Sequence, residues 1–92
     1  MALASCGIAY AMRYVRAATE GDVELGMYAQ DAQHIVEQTL KGAVALLQAN
    51  GSHPEAEIDR VTTPGGITIR GLNAMEENGF TNSVIKGLKA SK

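Results

Sequence analysis

An all-α helical bundle is the fold class that this chain predicts, on three observations. Apolar residues recur at helical spacing along most of the 92 residues, no alternating strand pattern competes, and a hydrophobic content of 46% includes only 4% aromatic residues. A core drawn from Ala, Leu, Ile, Val and Met needs closely spaced elements, which favours helices over a sheet sandwich. At this length the expectation is one domain, 1–92, with incomplete burial and a surface for a partner.

The first helix is expected over about Ser5–Leu25, ending near Gly26. Ile8, Met12 and Val15 share a face, and Ala4, Ala11 and Ala18 form a line of small residues that permits close helix contact. The apolar Met1–Met12 stretch reads as the opening turns of a buried helix. In the second helix Ala32, Ile35, Val36, Thr39, Leu40, Ala43, Val44 and Leu47 form a stripe. Asp31, Gln33, His34, Glu37 and Lys41 take the other face. Asn50-Gly51 stops it, and Glu37 and Lys41 are spaced for a surface pair worth tenths of a kcal/mol. Ser52-His53-Pro54-Glu55 has capping-box spacing, so a short helix through about Asp59 follows. A third main helix is expected to begin at Gly66 or Ile67, bury Ile69, Leu72 and Met75, and stop at Asn78-Gly79, with Phe80 packed over its last turn. Thr81 then caps a final helix that turns Val84, Ile85 and Leu88 inward and carries Lys86, Lys89 and Lys92 toward its C-terminal end.

Composition narrows the function classes. Eight basic and ten acidic residues give a net charge of −2, and no basic cluster interleaves with aromatics, which argues against nucleic acid as a partner. Arg13 and Arg16 interrupt the apolar start well short of the roughly 18 residues of a membrane span, so no membrane partner is expected. One cysteine, Cys6, excludes an intrachain disulfide and fits a reducing compartment, with the cytoplasm as the default. There is no Gly-x-Gly-x-x-Gly turn, no phosphate-binding loop of the Walker type, and no Cys or His spacing for a metal. His34 and His53 read as solvated residues, Cys6 as a small spacer, and Glu76 and Glu77 as neighbours that diverge around a helix.

The stretch with chemistry to offer is Val61-Thr62-Thr63-Pro64-Gly65-Gly66-Ile67-Thr68-Ile69-Arg70-Gly71-Leu72. A Pro-Gly-Gly turn feeding a helix start presents unpaired amide N–H groups and the positive end of the helix dipole, which suits a small anion such as a carboxylate. The plainer reading is turn chemistry, with the threonines serving as caps.

The longer stretch Glu57–Glu76 closely resembles the signature of pyrroline-5-carboxylate reductase, with Thr-Pro-Gly-Gly-x-Thr as its specific part. Ser5-Cys6-Gly7-Ile8-Ala9-Tyr10 is similar to the small-residue segment that opens that family's helical domain, and Asn78-Gly79-Phe80 to the end of its signature helix. The resemblance covers essentially the whole chain. It implies the C-terminal dimerisation domain, of the 6-phosphogluconate dehydrogenase C-terminal-like type, of an enzyme that reduces 1-pyrroline-5-carboxylate to L-proline in proline biosynthesis. It implies that NADPH or NADH is held mainly by an N-terminal Rossmann domain absent from this chain, which alone is expected to be inactive. Homodimers or larger homo-oligomers through the helical domain, with the long first helices at the interface, are implied as well.

Carried onto this chain, the resemblance implies that the N–H groups of Ile67 and Thr68 bind the substrate carboxylate, with Thr63 and Gly66 beside them. The Thr68 hydroxyl then orients the ring nitrogen of the imine. Two departures are visible. Ile67 stands where many relatives carry a smaller residue, and Ile8 where proline is common. The alternatives are a non-catalytic helical dimerisation module and the helical domain of a related NAD(P)-dependent dehydrogenase, which accounts poorly for the Thr-Pro-Gly-Gly-x-Thr motif.

Overall fold

The computed structural model describes residues 3–92 and, among them, forms helices and no strand. Five helices run in order: α1 (Leu3–Glu24), α2 (Ala29–Asn50), α3 (Pro54–Arg60), α4 (Ile67–Glu77) and α5 (Phe80–Ala90). The chain divides into two compact units, one ending at Leu46 and the other Leu47–Lys92.

In the first unit the helix stop read at Gly26 has a full structural cause. Gly26 takes φ +110°, its N–H reaches Val23 O at 2.9 Å, and the Met27 N–H reaches Asp22 O at 3.1 Å. This is a Schellman closure, and its left-handed residue is one that glycine adopts without a Cβ penalty. Burial concentrates near this connection: Thr19, Ala32 and Val36 are the buried residues among those described. Thr19 can be buried because its hydroxyl donates to Val15 O at 2.7 Å.

Much of the expected core is not covered. Ile8 is 62% exposed and Met12 63%, so the opening turns of α1 are not buried within this chain. On α2 the stripe narrows to Ala32 and Val36, with Leu40 and Leu47 half-buried, while Ile35 and Val44 lie open. The helical period was right, but a helix can bury only the arc that a neighbour reaches. The surface pair read between Glu37 and Lys41 is replaced by a bond from Gln33 Nε2 to Glu37 at 3.0 Å. Arg16 and Glu20 supply an exposed pair instead, at 3.6 Å.

The second unit opens on the last turn of α2, closed by Gly51 at φ +60° with its N–H on Leu47 O at 2.9 Å. The capping register shifts here. His53, not Ser52, is the N-cap of α3: its Nδ1 accepts the Glu55 N–H at 3.0 Å, and Pro54 follows in the first helical turn. Ser52 is drawn elsewhere because its hydroxyl donates to the Glu57 carboxylate, which also accepts from Asn50 Nδ2 at 3.0 Å and lies 3.5 Å from Arg60. Glu57 thus joins the end of α2 to α3 from a side chain only 13% exposed.

These contacts hold the Glu57 carboxyl below its ordinary value of 4.5, with the Ser52 bond as the largest cause, Asn50 next, burial opposing and the Arg60 charge adding least. A lowered folded value means that this stabilisation is complete above the unfolded value and is lost as pH falls through the folded one. Glu57→Gln is therefore expected to lower the melting temperature most at neutral pH. The gap to the parent should narrow below pH 4.5. A gap that stays constant down to pH 3 would remove this account.

α4 and α5 form a helical pair around Gly79, which ends one helix and caps the next at φ +88°. Thr81 is not the cap of α5 but lies inside its first turn. Its N–H donates to Glu76 Oε1 at 3.2 Å, and its hydroxyl bonds the same carboxylate. An acid at the end of α4 thus covers the positive start of α5. Leu72 is half-buried, whereas Ile69, Met75, Phe80, Val84, Ile85 and Leu88 are exposed, contrary to the expected inward set. These residues share faces as their spacing required, but each is covered only in part.

Candidate functional site

The Thr63–Gly66 turn carries the chain from α3 into α4. Pro64 supplies a preset φ, Gly65 takes φ +70°, and the Gly66 N–H closes the turn on Thr63 O at 2.9 Å, the pattern of a type II turn. Gly65 is required by its dihedral. Gly66 is required by space: at φ −78° its backbone is ordinary, but an added methyl would run into Thr63 Oγ1 and lie 3.2 Å from Thr63 O.

This distinction yields a paired expectation. Gly66→Ala should displace the Thr63 hydroxyl and cost about 1 kcal/mol, lowering the melting temperature by roughly 4–8 °C. Gly71→Ala, in the interior of α4 with nothing within 4 Å of the new methyl, should raise it by removing backbone entropy from the unfolded chain. Melts at matched protein concentration check both. Equal shifts in one direction would dismiss the spatial argument.

The threonines do not cap α4. Gly66 is the N-cap, with no side-chain cap hydrogen bond. Thr62 serves the preceding helix, donating from its hydroxyl toward Ile58 O at 3.1 Å and Asp59 O at 3.2 Å. The first amides of α4, those of Ile67 and Thr68 among them, therefore start a helix without a side-chain oxygen over them. The four residues singled out from sequence lie together in this turn and first helical turn: Thr63, Ile67 and Thr68 are exposed, Gly66 is half-buried, and Ile67 is 83% exposed.

One residue was not singled out from the sequence. Arg70 folds its guanidinium back so that Nη2 donates to Gly65 O at 3.3 Å, bringing a permanent cation to the turn. Arg70 lies one helical turn beyond Gly66, within reach of the loop that it follows, but nothing in the spacing marks which way its side chain folds. His34 belongs elsewhere, on a surface depression lined with Gln30, Gln33 and Glu37 in the other unit. His53 is a structural cap, and Cys6 is half-buried on α1. Among the described residues no group of three His, Cys, Asp or Glu side chains converges to hold a metal ion, and no helix is long and apolar enough to cross a membrane.

Known proteins share the sequence and the helical fold. A family model described as pyrroline-5-carboxylate reductase dimerisation matches residues 1–92. Pyrroline-5-carboxylate reductase 2 of Dictyostelium discoideum is 53% identical over 90 residues, which are 98% of this chain and 30% of that protein. The reductase of Treponema pallidum is 36% identical over 89 residues, 97% of this chain and 34% of that protein. The structure of Plasmodium falciparum pyrroline carboxylate reductase with NADP bound superposes with a TM-score of 0.92 at 29% identity, covering 97% of this chain and 34% of that one. The chain thus spans about a third of the length of these relatives. A helical fold shared over nearly its whole length, together with a family match from end to end, places this chain in the pyrroline-5-carboxylate reductase dimerisation family.

Proposed function

We propose that this chain is the helical, C-terminal part of a reductase that converts 1-pyrroline-5-carboxylate to L-proline in proline biosynthesis. The observation that carries the reading is the start of α4, where amides without a side-chain cap follow a tight Pro-Gly-Gly turn. Ile67 and Thr68 bind the substrate carboxylate through their N–H groups, with Thr63 and Gly66 shaping the approach. The Thr68 hydroxyl faces the ring nitrogen and holds the C=N bond in line for reduction. It positions the imine and is not asked to act as a strong acid. NADPH or NADH, held mainly by a nucleotide-binding domain outside these 92 residues, supplies the hydride. The NADP-bound state of the Plasmodium relative supports a nicotinamide dinucleotide as the cofactor.

The same chain assembles the enzyme. Apolar faces left open in both units, Ile8 and Met12 in the first and Val84 and Ile85 in the second, favour a homodimer or a larger homo-oligomer. A reducing compartment, the cytoplasm, suits the single cysteine.

The test is a titration of the 92-residue chain with L-proline, with D-proline as control, followed by backbone amide NMR. Stereoselective shifts centred on Gly66, Ile67 and Thr68 are expected. A folded oligomer showing no shift at high millimolar L-proline would leave the chain an assembly module without a substrate half-site.

A further inference from the structure

Arg70 stands where a helix disfavours a cation. It lies just past the first turn of α4, near the positive end of the dipole, in a helix whose first turn has no acidic residue. The ion pairs among the described residues are Arg16–Glu20 and Arg60–Glu57, so the Arg70 charge is not paired with a carboxylate. The uncapped amides and the guanidinium are two positive sources on one short stretch of backbone.

The Gly65–Gly66 peptide unit is also held from both ends. Its N–H donates to Thr63 O at 2.9 Å, and its carbonyl accepts from Arg70 Nη2 at 3.3 Å. Bonding both ends of one peptide polarises each bond and fixes the plane that leads into Ile67 and Thr68. A guanidinium carries five N–H donors in a rigid fork suited to a carboxylate, and the Gly65 bond uses one.

We infer that Arg70 is a positioning residue that sets carboxylate affinity at the start of α4, by locking the Gly65 carbonyl and adding a fixed positive charge beside the amides. The inference rests on the carboxylate reading of that site. It assigns Arg70 to ground-state binding of the anionic group and not to the reduction step, so affinity and turnover should separate.

The experiment uses the full-length enzyme as parent, Arg70→Met and Arg70→Lys. Binding of L-proline and of L-prolinamide, which lacks the anion, is measured at low and high salt, beside KM and kcat for the imine. Arg70→Met should raise the L-proline Kd and the imine KM by about tenfold and flatten their salt dependence, with kcat within about twofold and prolinamide binding nearly unchanged. Arg70→Lys, which keeps the charge but not the fork, should fall between the two and guard against misfolding of the Met variant. A parent that binds L-proline with the same affinity as both variants overturns the role of Arg70 and leaves the carboxylate site standing. A parent that binds no L-proline overturns both. A parent that binds L-proline through Arg70 yet does not reduce the imine keeps the role of Arg70 and removes the reaction.

Discussion

Replacing Ile8 and Met12 together by Glu is expected to convert the assembled protein to monomer at micromolar concentration. Both side chains lie on α1, both are more than half exposed in the single chain, and an apolar face of this kind is stable in water only when covered. Full burial of such a side chain is worth about 1.5–3 kcal/mol. In a two-fold interface each substitution occurs twice, so the pair removes about 6–12 kcal/mol at the limit of complete burial. Partial burial still leaves a loss of at least about 4 kcal/mol, or roughly a thousandfold in dissociation constant. Light scattering after size exclusion measures it, with Lys41→Glu on the polar face of α2 as the control that should keep the parent mass. A double variant that retains the parent mass would move the interface away from this part of α1.

The second large effect is expected at Thr68. In the full-length enzyme Thr68→Ala should lower kcat by about a hundredfold, equivalent to about 2.7 kcal/mol of transition-state stabilisation, with the KM for the imine changed far less. The reason is geometric: the hydroxyl proposed to face the ring nitrogen leaves, and the amide proposed to bind the carboxylate stays. Folding should survive, because Thr68 is an exposed residue in the first turn of α4 and Ala is the better helix former. Thr68→Ser, which restores a hydroxyl at the same carbon, should recover most of the rate. An alanine variant with parental kcat would remove Thr68 from the mechanism and leave the site with carboxylate binding alone.

Helix ends were legible because glycine marks them chemically. Gly26, Gly51 and Gly79 all take positive φ, a conformation that other residues rarely adopt, so each stop could be read from one letter. Caps were less legible, because several polar groups compete locally for the same partners. Ser52 and His53 both had the chemistry to cap α3, and the Glu57 carboxylate decided between them by drawing Ser52 away. At Thr81 the acid of the preceding helix took the role that the sequence spacing gave to the threonine itself.

The candidate site was legible in one respect. The Thr63–Thr68 stretch could be picked out because turn geometry and helix-start donors depend on local chain chemistry, and the four residues named from it do lie together. The contribution of Arg70 was not, since a side chain folding back five residues onto Gly65 O is one rotamer choice among several and carries no periodic signal.

The helical class, the order of the helices, their stops and the turn that opens α4 were readable residue by residue, because these follow from backbone preferences and periodicity within a few positions. Which part of each apolar stripe is covered depends on packing between elements. Ala32 and Val36 are buried while Ile35, Val44, Ile69 and Ile85 stay exposed, a difference that no spacing encodes. Burial depends on what lies opposite a side chain, and among the described residues much of the apolar surface is only partly covered.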